Sequence, residues 1–214
     1  MNGFPLEEWY FDIPVITRTY LTLCTALAVG ISLNILSPLA VCLSFPIIRE
    51  KGEYWRILTN FAYFEGLGIN FFIHIHFVYM YFRRSEQHFY HRHTADFVAM
   101  LLFGATALLI VAYFYEILFL SMPLMYYVLY IWCRRNPYEY MHVLGVMPVP
   151  APYLPYLFLL VSYSMESPIY DDLLGIFIGH TFWFLSDILP GYIGRPVLQT
   201  PEILRVLFPQ PVLG

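Results

Sequence analysis

The stretch from Asp171 to Pro190 limits what this chain can fold into more than any other part of it. Its length, at ~1.5 Å per helical residue, matches a bilayer hydrocarbon layer of ~30 Å. Gly175 and Gly179 are four residues apart, so they share one helix face and let a neighbouring helix approach closely. We therefore predict a membrane helix that packs tightly on its glycine face and forms the centre of a helix bundle.

The same stretch carries a second stripe of residues. His180, Trp183 and Asp187 stand at positions i, i+3 and i+7, which places them along one side of a helix. Ionisable side chains are costly in lipid. This stripe is therefore predicted to face protein or a water-filled cavity.

Composition supports a membrane setting and excludes one class of partner. Only 12% of the 214 residues are charged and 59% are hydrophobic, whereas soluble proteins average about 25% charged residues. The net charge is −4 and there is no basic run, so nucleic acid is not expected as a partner. Cys24, Cys42 and Cys133 are widely separated and are expected to be buried small apolar residues.

The apolar runs predict an all-α membrane protein with six transmembrane helices. The run from 97 to 133 is too long for one span, so we expect it to form a hairpin. The first run lacks the charge pattern of a signal peptide and is expected to be retained. The predicted spans are about 17–36, 57–82, 97–115, 118–133, 152–166 and 171–190, in a membrane domain of residues 1–190 followed by a short cytosolic tail at 191–214.

The loop after the first span has its own character. It is apolar but interrupted by Pro38 and Pro46, which favours a segment lying in the membrane interface. Two interpretations of Trp55-Arg56 at its end stay open. Either Trp55 is an interfacial anchor beside a snorkelling Arg56, or the Arg56 guanidinium donates to backbone carbonyls of this loop and fixes it.

Polar residues are predicted to line a cavity inside the bundle. The second span begins with polar and flexible residues that lipid would reject, so it either lines a hydrophilic pocket or places Glu65 near the surface. Together with the stripe on the last span, the candidate residues are Asn60, Glu65, Asn70, His180 and Asp187.

An intramembrane protease is an alternative reading of His180. Such an enzyme needs a hydroxyl nucleophile next to the histidine base. The chain is not expected to contain a G-x-S nucleophile motif, and Ser121, Ser162 or another hydroxyl would have to approach His180. A histidine without a nucleophile is more often a hydrogen-bonded structural or cavity residue, so catalysis is not expected.

Metal binding and small-molecule transport are two further alternatives. His74 and His76 point to opposite helix faces, and His88, His91 and His93 lie in a polar loop without a zinc-like ligand pattern, so no metal site is expected. A transporter could use Glu65, His180 and Asp187 as a proton relay, but the chain shows no internal repeat of the kind that transporters carry.

Lysine and arginine predict the orientation. With six spans, Arg49, Lys51 and Arg56 in the first loop lie on one side, and every other lysine or arginine lies on the side of both termini. Positive charge collects on the cytosolic side of membranes, so both termini are expected in the cytosol.

Several blocks of sequence are spread along nearly the entire chain. They are Trp55-Arg56-Ile57-Leu58-Thr59-Asn60-Phe61, Thr94-Ala95-Asp96-Phe97, Arg134-Arg135-Asn136-Pro137-Tyr138, Asp172-Leu173-Leu174-Gly175 with Gly179-His180, and Thr200-Pro201. In this order, the blocks closely resemble the Derlin family. The resemblance implies a six-helix rhomboid-like bundle with the W-R motif at Trp55-Arg56 and the G-x-x-x-G motif at Gly175 and Gly179. It also implies that the nucleophile position of rhomboid proteases falls near Pro123, which cannot attack a peptide bond.

The resemblance further implies a non-catalytic role in endoplasmic-reticulum-associated degradation (ERAD), in the endoplasmic reticulum (ER) membrane. The polar, interrupted second helix, the polar stripe on the sixth and the interfacial first loop lead to our own hypothesis for the path. Misfolded proteins would move back to the cytosol through a hydrated lateral groove between the second and fifth helices, helped by local bilayer thinning. Expected partners are misfolded polypeptides, membrane lipid, an ER membrane ubiquitin ligase complex and, indirectly, a cytosolic AAA ATPase. A homo-oligomer is left open, and no cofactor is expected.

Overall fold

The computed structural model describes residues 5–88, 90, 93–143, 147–164 and 168–208, and most of them are helical. Helices α1 to α8 are Pro5–Asp12, Val15–Ser32, Pro38–Val41, Phe45–Lys51, Arg56–Ala62, Ile69–His88, Thr94–Tyr115 and Ser121–Arg135. The strands are β1, Tyr140–Val143, and β2, Met147–Pro150. They are followed by α9, Leu154–Ser164, α10, Ile169–Trp183, a π-helical segment at Phe184–Ile188, α11, Leu189–Ile193, and α12, Glu202–Leu207.

Three helices of the described chain are long and apolar enough to cross a membrane. They are α2, α7 and the continuous helix Ile169–Ile193, which comprises α10, the π-helical segment and α11. The predicted helical membrane protein is thus confirmed in outline, while the count of six spans stays a prediction. At ~1.5 Å per residue, the 15 residues of α8 and the 11 residues of α9 reach only about 22 and 17 Å.

The centre of the bundle is α8, and the sequence-based placement of the 171–190 helix there was wrong. Twelve of the 15 residues of α8 are buried, because α6, α7 and α10 pack around it. By contrast, α10 is buried along one face, which includes Asp172, Gly175 and Gly179, and exposed along the other. Hydropathy could not reveal this, since α8 is rich in tyrosine and shorter than a bilayer-spanning helix.

Two predicted spans have different limits in the structure. The helix expected at 17–36 ends at Ser32, because Asn34 adopts a left-handed conformation with φ 56°. The helix expected at 57–82 is two helices, α5 and α6, separated by a non-helical segment at 63–68. Gly66 and Gly68 lie in this segment, and Ser32 Oγ accepts a hydrogen bond of 2.8 Å from the amide of Leu67.

An antiparallel hairpin interrupts the otherwise helical chain. In it β1 pairs with β2, with Tyr140 opposite Pro150 and Val143 opposite Met147. The sequence analysis expected no strand between the spans predicted at 118–133 and 152–166, so the all-α class needs this correction. Pro148 and Pro150 cannot donate to a ladder, which restricts β2 to a short edge strand.

A carboxylate from α6 caps the N-terminus of α2. Glu86 is 5% exposed, and its Oε1 and Oε2 accept from the amides of Ile16 at 3.1 Å and Thr17 at 2.8 Å. Oε2 also accepts from the Thr17 hydroxyl at 2.7 Å. A negative charge at this end of a helix satisfies free amides and favours the helix dipole, so Glu86 ties the first long helix to α6.

The predicted tail at 191–214 is partly structured. Helix α11 continues α10 as far as Ile193, and α12 packs against α7 through the buried Leu204. Residues 209–214 of the predicted tail lie outside the described residues.

Candidate functional site

The glycine face of α10 lies directly on α8. A Cβ atom at Gly175 would overlap the carbonyl oxygen of Pro123 and approach Tyr126 Cβ to 2.7 Å. A Cβ atom at Gly179 would lie 3.0 Å from Tyr130 Cβ. The absence of side chains at these two positions is therefore what lets the two backbones come this close.

One turn before Gly175, a buried polar cluster joins three helices. Asp172 of α10 is 2% exposed and faces the hydroxyls of Tyr126 on α8 and Ser162 on α9. The two hydroxyl oxygens are 3.1 Å apart, within hydrogen-bonding distance. Among the described residues, Oδ2 of Asp172 has no hydrogen-bond partner. A buried polar atom without a partner is uncommon and marks a candidate binding site for a polar group.

This cluster, and not His180, lies next to the position where the family resemblance places the rhomboid nucleophile. The Pro123 carbonyl meets Gly175, and Asp172 is one turn away on the same face. His180 lies beyond Gly179, where its Nδ1 is 2.7 Å from the Tyr130 hydroxyl. The sequence analysis missed Asp172 as a site residue, although it stands in the block that carries the resemblance.

The serines that could act as nucleophiles form hydrogen bonds with groups other than His180. Ser121 Oγ donates to the Tyr63 carbonyl at 2.6 Å, and Ser162 is paired with Tyr126. The expectation that the chain has no G-x-S was wrong, because Gly30-Ile31-Ser32 has this pattern. It lies at the C-terminal end of α2, where Ser32 accepts a hydrogen bond from the amide of Leu67. None of these three serines forms a hydrogen bond with His180 in the described structure.

The π-helical segment separates Asp187 from the other two residues of the predicted stripe, His180 and Trp183. His180 and Trp183 are neighbours, with ring centroids 5.7 Å apart. The wider turn at Phe184–Ile188 shifts the register of the residues that follow. Asp187 then reaches Arg135 at the end of α8 through two charge-assisted hydrogen bonds of 2.8 Å each.

Arg135 also connects the loop before α7. Its Nη1 donates to the Tyr90 hydroxyl at 2.6 Å. Burial raises the pKa of the Tyr90 phenol, so the hydroxyl stays neutral beside the guanidinium. One arginine thus holds together the end of α8, the π-helical segment and the loop between α6 and α7.

The first loop is organised by Arg56. This side chain is 5% exposed, and its Nη1 donates to the carbonyls of Leu39 at 2.6 Å and Cys42 at 3.0 Å. Glu53 completes the site with an ion pair of 2.7 Å. Trp55 is exposed and donates to the Ala40 carbonyl at 3.3 Å. Of the two interpretations of this motif, the geometry agrees with the guanidinium fixing the loop.

The five candidate cavity residues do not form one cluster. Asn60 is fully buried and donates to the carbonyls of Arg56 and Ile57, while its Oδ1 lacks a partner among the described residues. Glu65 lies 3.6 Å from His74, and Asn70 is exposed in the first turn of α6. His180 and Asp187 have the separate partners given above. A shared cavity for these residues stays a prediction.

The facing surfaces of α6 and α9 meet at an aromatic pair. The rings of Phe77 and Phe158 are 4.7 Å apart, in an edge-to-face arrangement. Helix α9 is otherwise attached to α8 and α10, and Leu154 and Pro155 in its first turn are its buried residues in the described structure. Tyr156, which follows them, is half exposed, as is much of the rest of this helix.

Several histidines, which are possible metal ligands, lie around the loop between α6 and α7. His91 and the side chain of His88 lie outside the described residues, whereas His93 is 3.6 Å from Asp96. The described part of the chain holds no group of three or more histidine, cysteine or acidic residues arranged to bind a metal ion.

Comparisons with known proteins identify relatives along almost the whole chain. The sequence model of the Der1-like family matches residues 13–202. A probable derlin-2 homolog of Dictyostelium discoideum is 36% identical over 95% of this chain and 83% of its own length. Derlin-2.2 of Arabidopsis thaliana is 37% identical over 95% of this chain and 88% of its own, and Derlin-2.1 of Zea mays is 38% identical over 95% and 86%.

Proposed function

Because the chain belongs to the Der1-like family, we propose that it assists the return of misfolded proteins from the ER to the cytosol. Membership of this family supports an ERAD-related role for a multi-pass membrane protein. The proposed location is the ER membrane, with six spans and both termini in the cytosol. The positive-inside distribution of lysine and arginine supports this orientation.

The proposed path is a lateral opening between α6 and α9. The observation that carries it is the loose attachment of α9, which has 11 residues, two of them buried in its first turn, and meets α6 at Phe77 and Phe158. A helix of about 17 Å in a hydrocarbon layer of ~30 Å favours local thinning of the bilayer. Moving this helix outward would admit a polypeptide beside the Asp172 cluster.

The interface between α8 and α10 stays rigid in this proposal. The close contacts of Gly175 and Gly179 with α8 leave no room for sliding, and Arg135 clamps the π-helical segment. Packed interfaces of this kind change in discrete steps and not gradually. Opening is therefore expected at α9, which is short and exposed along much of its length.

The proposed role is non-catalytic. It is supported by the engagement of Ser32, Ser121 and Ser162 with groups other than His180. Labelling of the protein by a serine-directed fluorophosphonate, lost on His180→Ala, would contradict this part. The proposed partners are misfolded polypeptides, lipid, an ER membrane ubiquitin ligase complex and, indirectly, a cytosolic AAA ATPase.

A reversible cross-link tests the lateral opening. In a Phe77→Cys, Phe158→Cys protein, a short bis-methanethiosulfonate should join α6 to α9 and slow degradation of a misfolded luminal reporter by about tenfold, because the opening is closed. Reduction should restore the rate. The three native cysteines are buried, so wild-type protein reports the background reaction.

The matched control places the same cross-link on the rigid side. Phe103 and Phe182 join α7 to α10 with ring centroids 5.3 Å apart. Linking cysteines at these positions should leave the degradation rate unchanged. If the α6–α9 link leaves the rate unchanged as well, the proposed path is wrong.

A further inference from the structure

The segment after α11 is tied back to the bundle by one side-chain hydrogen bond. The Thr200 hydroxyl donates to Oδ1 of Asp96 in the first turn of α7, across 104 positions of sequence. Oδ2 of the same carboxylate lies 3.6 Å from Nδ1 of His93. The Asp96 carboxylate is the acceptor, so this hydrogen bond requires the hydroxyl hydrogen of Thr200.

The contact of the tail with α7 is otherwise small. Leu204 is buried, but Ile203, Val206 and Leu207 on the same short helix are between 64% and 78% exposed. A few apolar side chains, Leu198, Leu204 and Phe208, and the hydrogen bond of Thr200 therefore carry much of the attachment. The repulsion that a phosphate at Thr200 would add is large compared with the free energy of an attachment of this size.

Thr200 also has the local sequence of a kinase substrate and is partly exposed, in a segment with exposed neighbours. Pro201 follows it, and residues 194–201 form neither helix nor strand, with Arg195, Gln199 and Pro201 exposed. Proline-directed kinases bind a serine or threonine followed by proline in an extended segment. We propose that Thr200 is a phosphorylation site and that its modification releases the tail from α7.

The chemistry explains why release would follow. The kinase forms a bond between Thr200 Oγ1 and the γ-phosphorus of ATP, the bond to the bridging oxygen breaks, ADP leaves, and the hydroxyl proton passes to the kinase base. The product has no hydroxyl hydrogen to donate to Asp96. It carries about −1.5 to −2 charges next to that carboxylate, so the two groups repel each other.

Release would also open a cavity at this end of the molecule. A space of about 240 Å³ is lined by Pro14, Glu86, Tyr90, Thr94 and Phe208 among others. Phe208, directly after α12, is the wall that the tail contributes. Phosphorylation of Thr200 would thus expose the carboxylate that caps α2. The inference rests on the cytosolic location of the tail proposed above.

Hydrogen–deuterium exchange of the intact, detergent-solubilised protein tests the inference without reference to degradation. After treatment with a proline-directed kinase and MgATP, mass spectrometry should find phosphate on Thr200. The amides of residues 200–208 should then exchange about tenfold faster, because α12 has lost its support. Exchange in α8 should not change, which shows that the bundle remains folded.

Two variants separate repulsion from simple loss of the hydrogen bond. Thr200→Val cannot be phosphorylated, so the kinase should leave its exchange unchanged. In Asp96→Asn the charge that repels the phosphate is absent, and phosphorylation should accelerate exchange much less than in wild type. Failure of the kinase to modify Thr200 in the folded protein, or modification without faster exchange, would overturn the inference while leaving the proposed transport role untouched.

Discussion

At the scale of single residues, three buried charged groups have different surroundings. Arg56 donates to backbone carbonyls and Glu86 accepts from backbone amides, so each side chain has a structural role. Asp172 retains an oxygen without a partner in the described structure. A buried polar atom without a partner costs free energy, so Asp172 is the candidate binding residue among the three.

The role of Arg56 can be tested by a change that keeps its charge. Arg56→Lys removes the planar guanidinium that reaches Leu39, Cys42 and Glu53 together, because an ammonium group cannot reproduce that geometry. We expect a loss of about 2 kcal/mol in the free energy of unfolding and faster proteolysis within the first loop. Thermal denaturation of the purified protein measures the first effect.

Arg49 provides the matched control for this substitution. It is exposed in the last turn of α4, so Arg49→Lys should change stability by less than about 0.5 kcal/mol. Equal stability losses in the two variants would show that the Arg56 contacts do not fix the loop.

At the scale of elements, helix length and helix contacts divide the molecule into a rigid and a loose part. The pair α8 and α10 is in backbone contact at Gly175, whereas α9 is short and exposed along much of its length. The sequence predicted the glycine contact, because spacing of four residues defines a helix face. It could not predict that α8 is the partner, since that depends on packing between distant segments.

Adding one methyl group to α10 tests the rigid pair. Gly175→Ala places a Cβ against the Pro123 carbonyl, which belongs to the backbone and cannot rotate away. We expect destabilisation of about 3 kcal/mol, in spite of the better helix propensity of alanine. The measurement is thermal unfolding in detergent, followed by circular dichroism.

Gly191→Ala is the control within the same continuous helix. A Cβ there meets nothing within 4 Å, so this variant should be neutral or gain about 0.5 kcal/mol. A Gly175→Ala protein as stable as the Gly191→Ala protein would mean that α8 and α10 are not packed as described.

At the scale of the whole molecule, the sequence predicted the parts that hydropathy and spacing determine. The long apolar helices α2, α7 and Ile169–Ile193 fall near the expected limits. The break between α5 and α6, the hairpin and the docking of α12 were missed. These features depend on contacts between distant residues, such as Thr200 with Asp96, that no local pattern contains.

The number of spans is a property of the whole chain, and its parity can be measured. Six spans place both termini on one side. Three spans, the number of helices in the described part of the chain that are long and apolar enough on their own, would place them on opposite sides. The sequence contains no N-x-S/T glycosylation acceptor, so acceptors added at each terminus report topology without background. We expect neither terminus to be glycosylated in ER membranes, while an acceptor inserted with a flexible spacer after Lys51 in the first loop is modified. Glycosylation at one terminus would establish an odd number of spans, and the short helices α8 and α9 would then not cross the membrane as a pair.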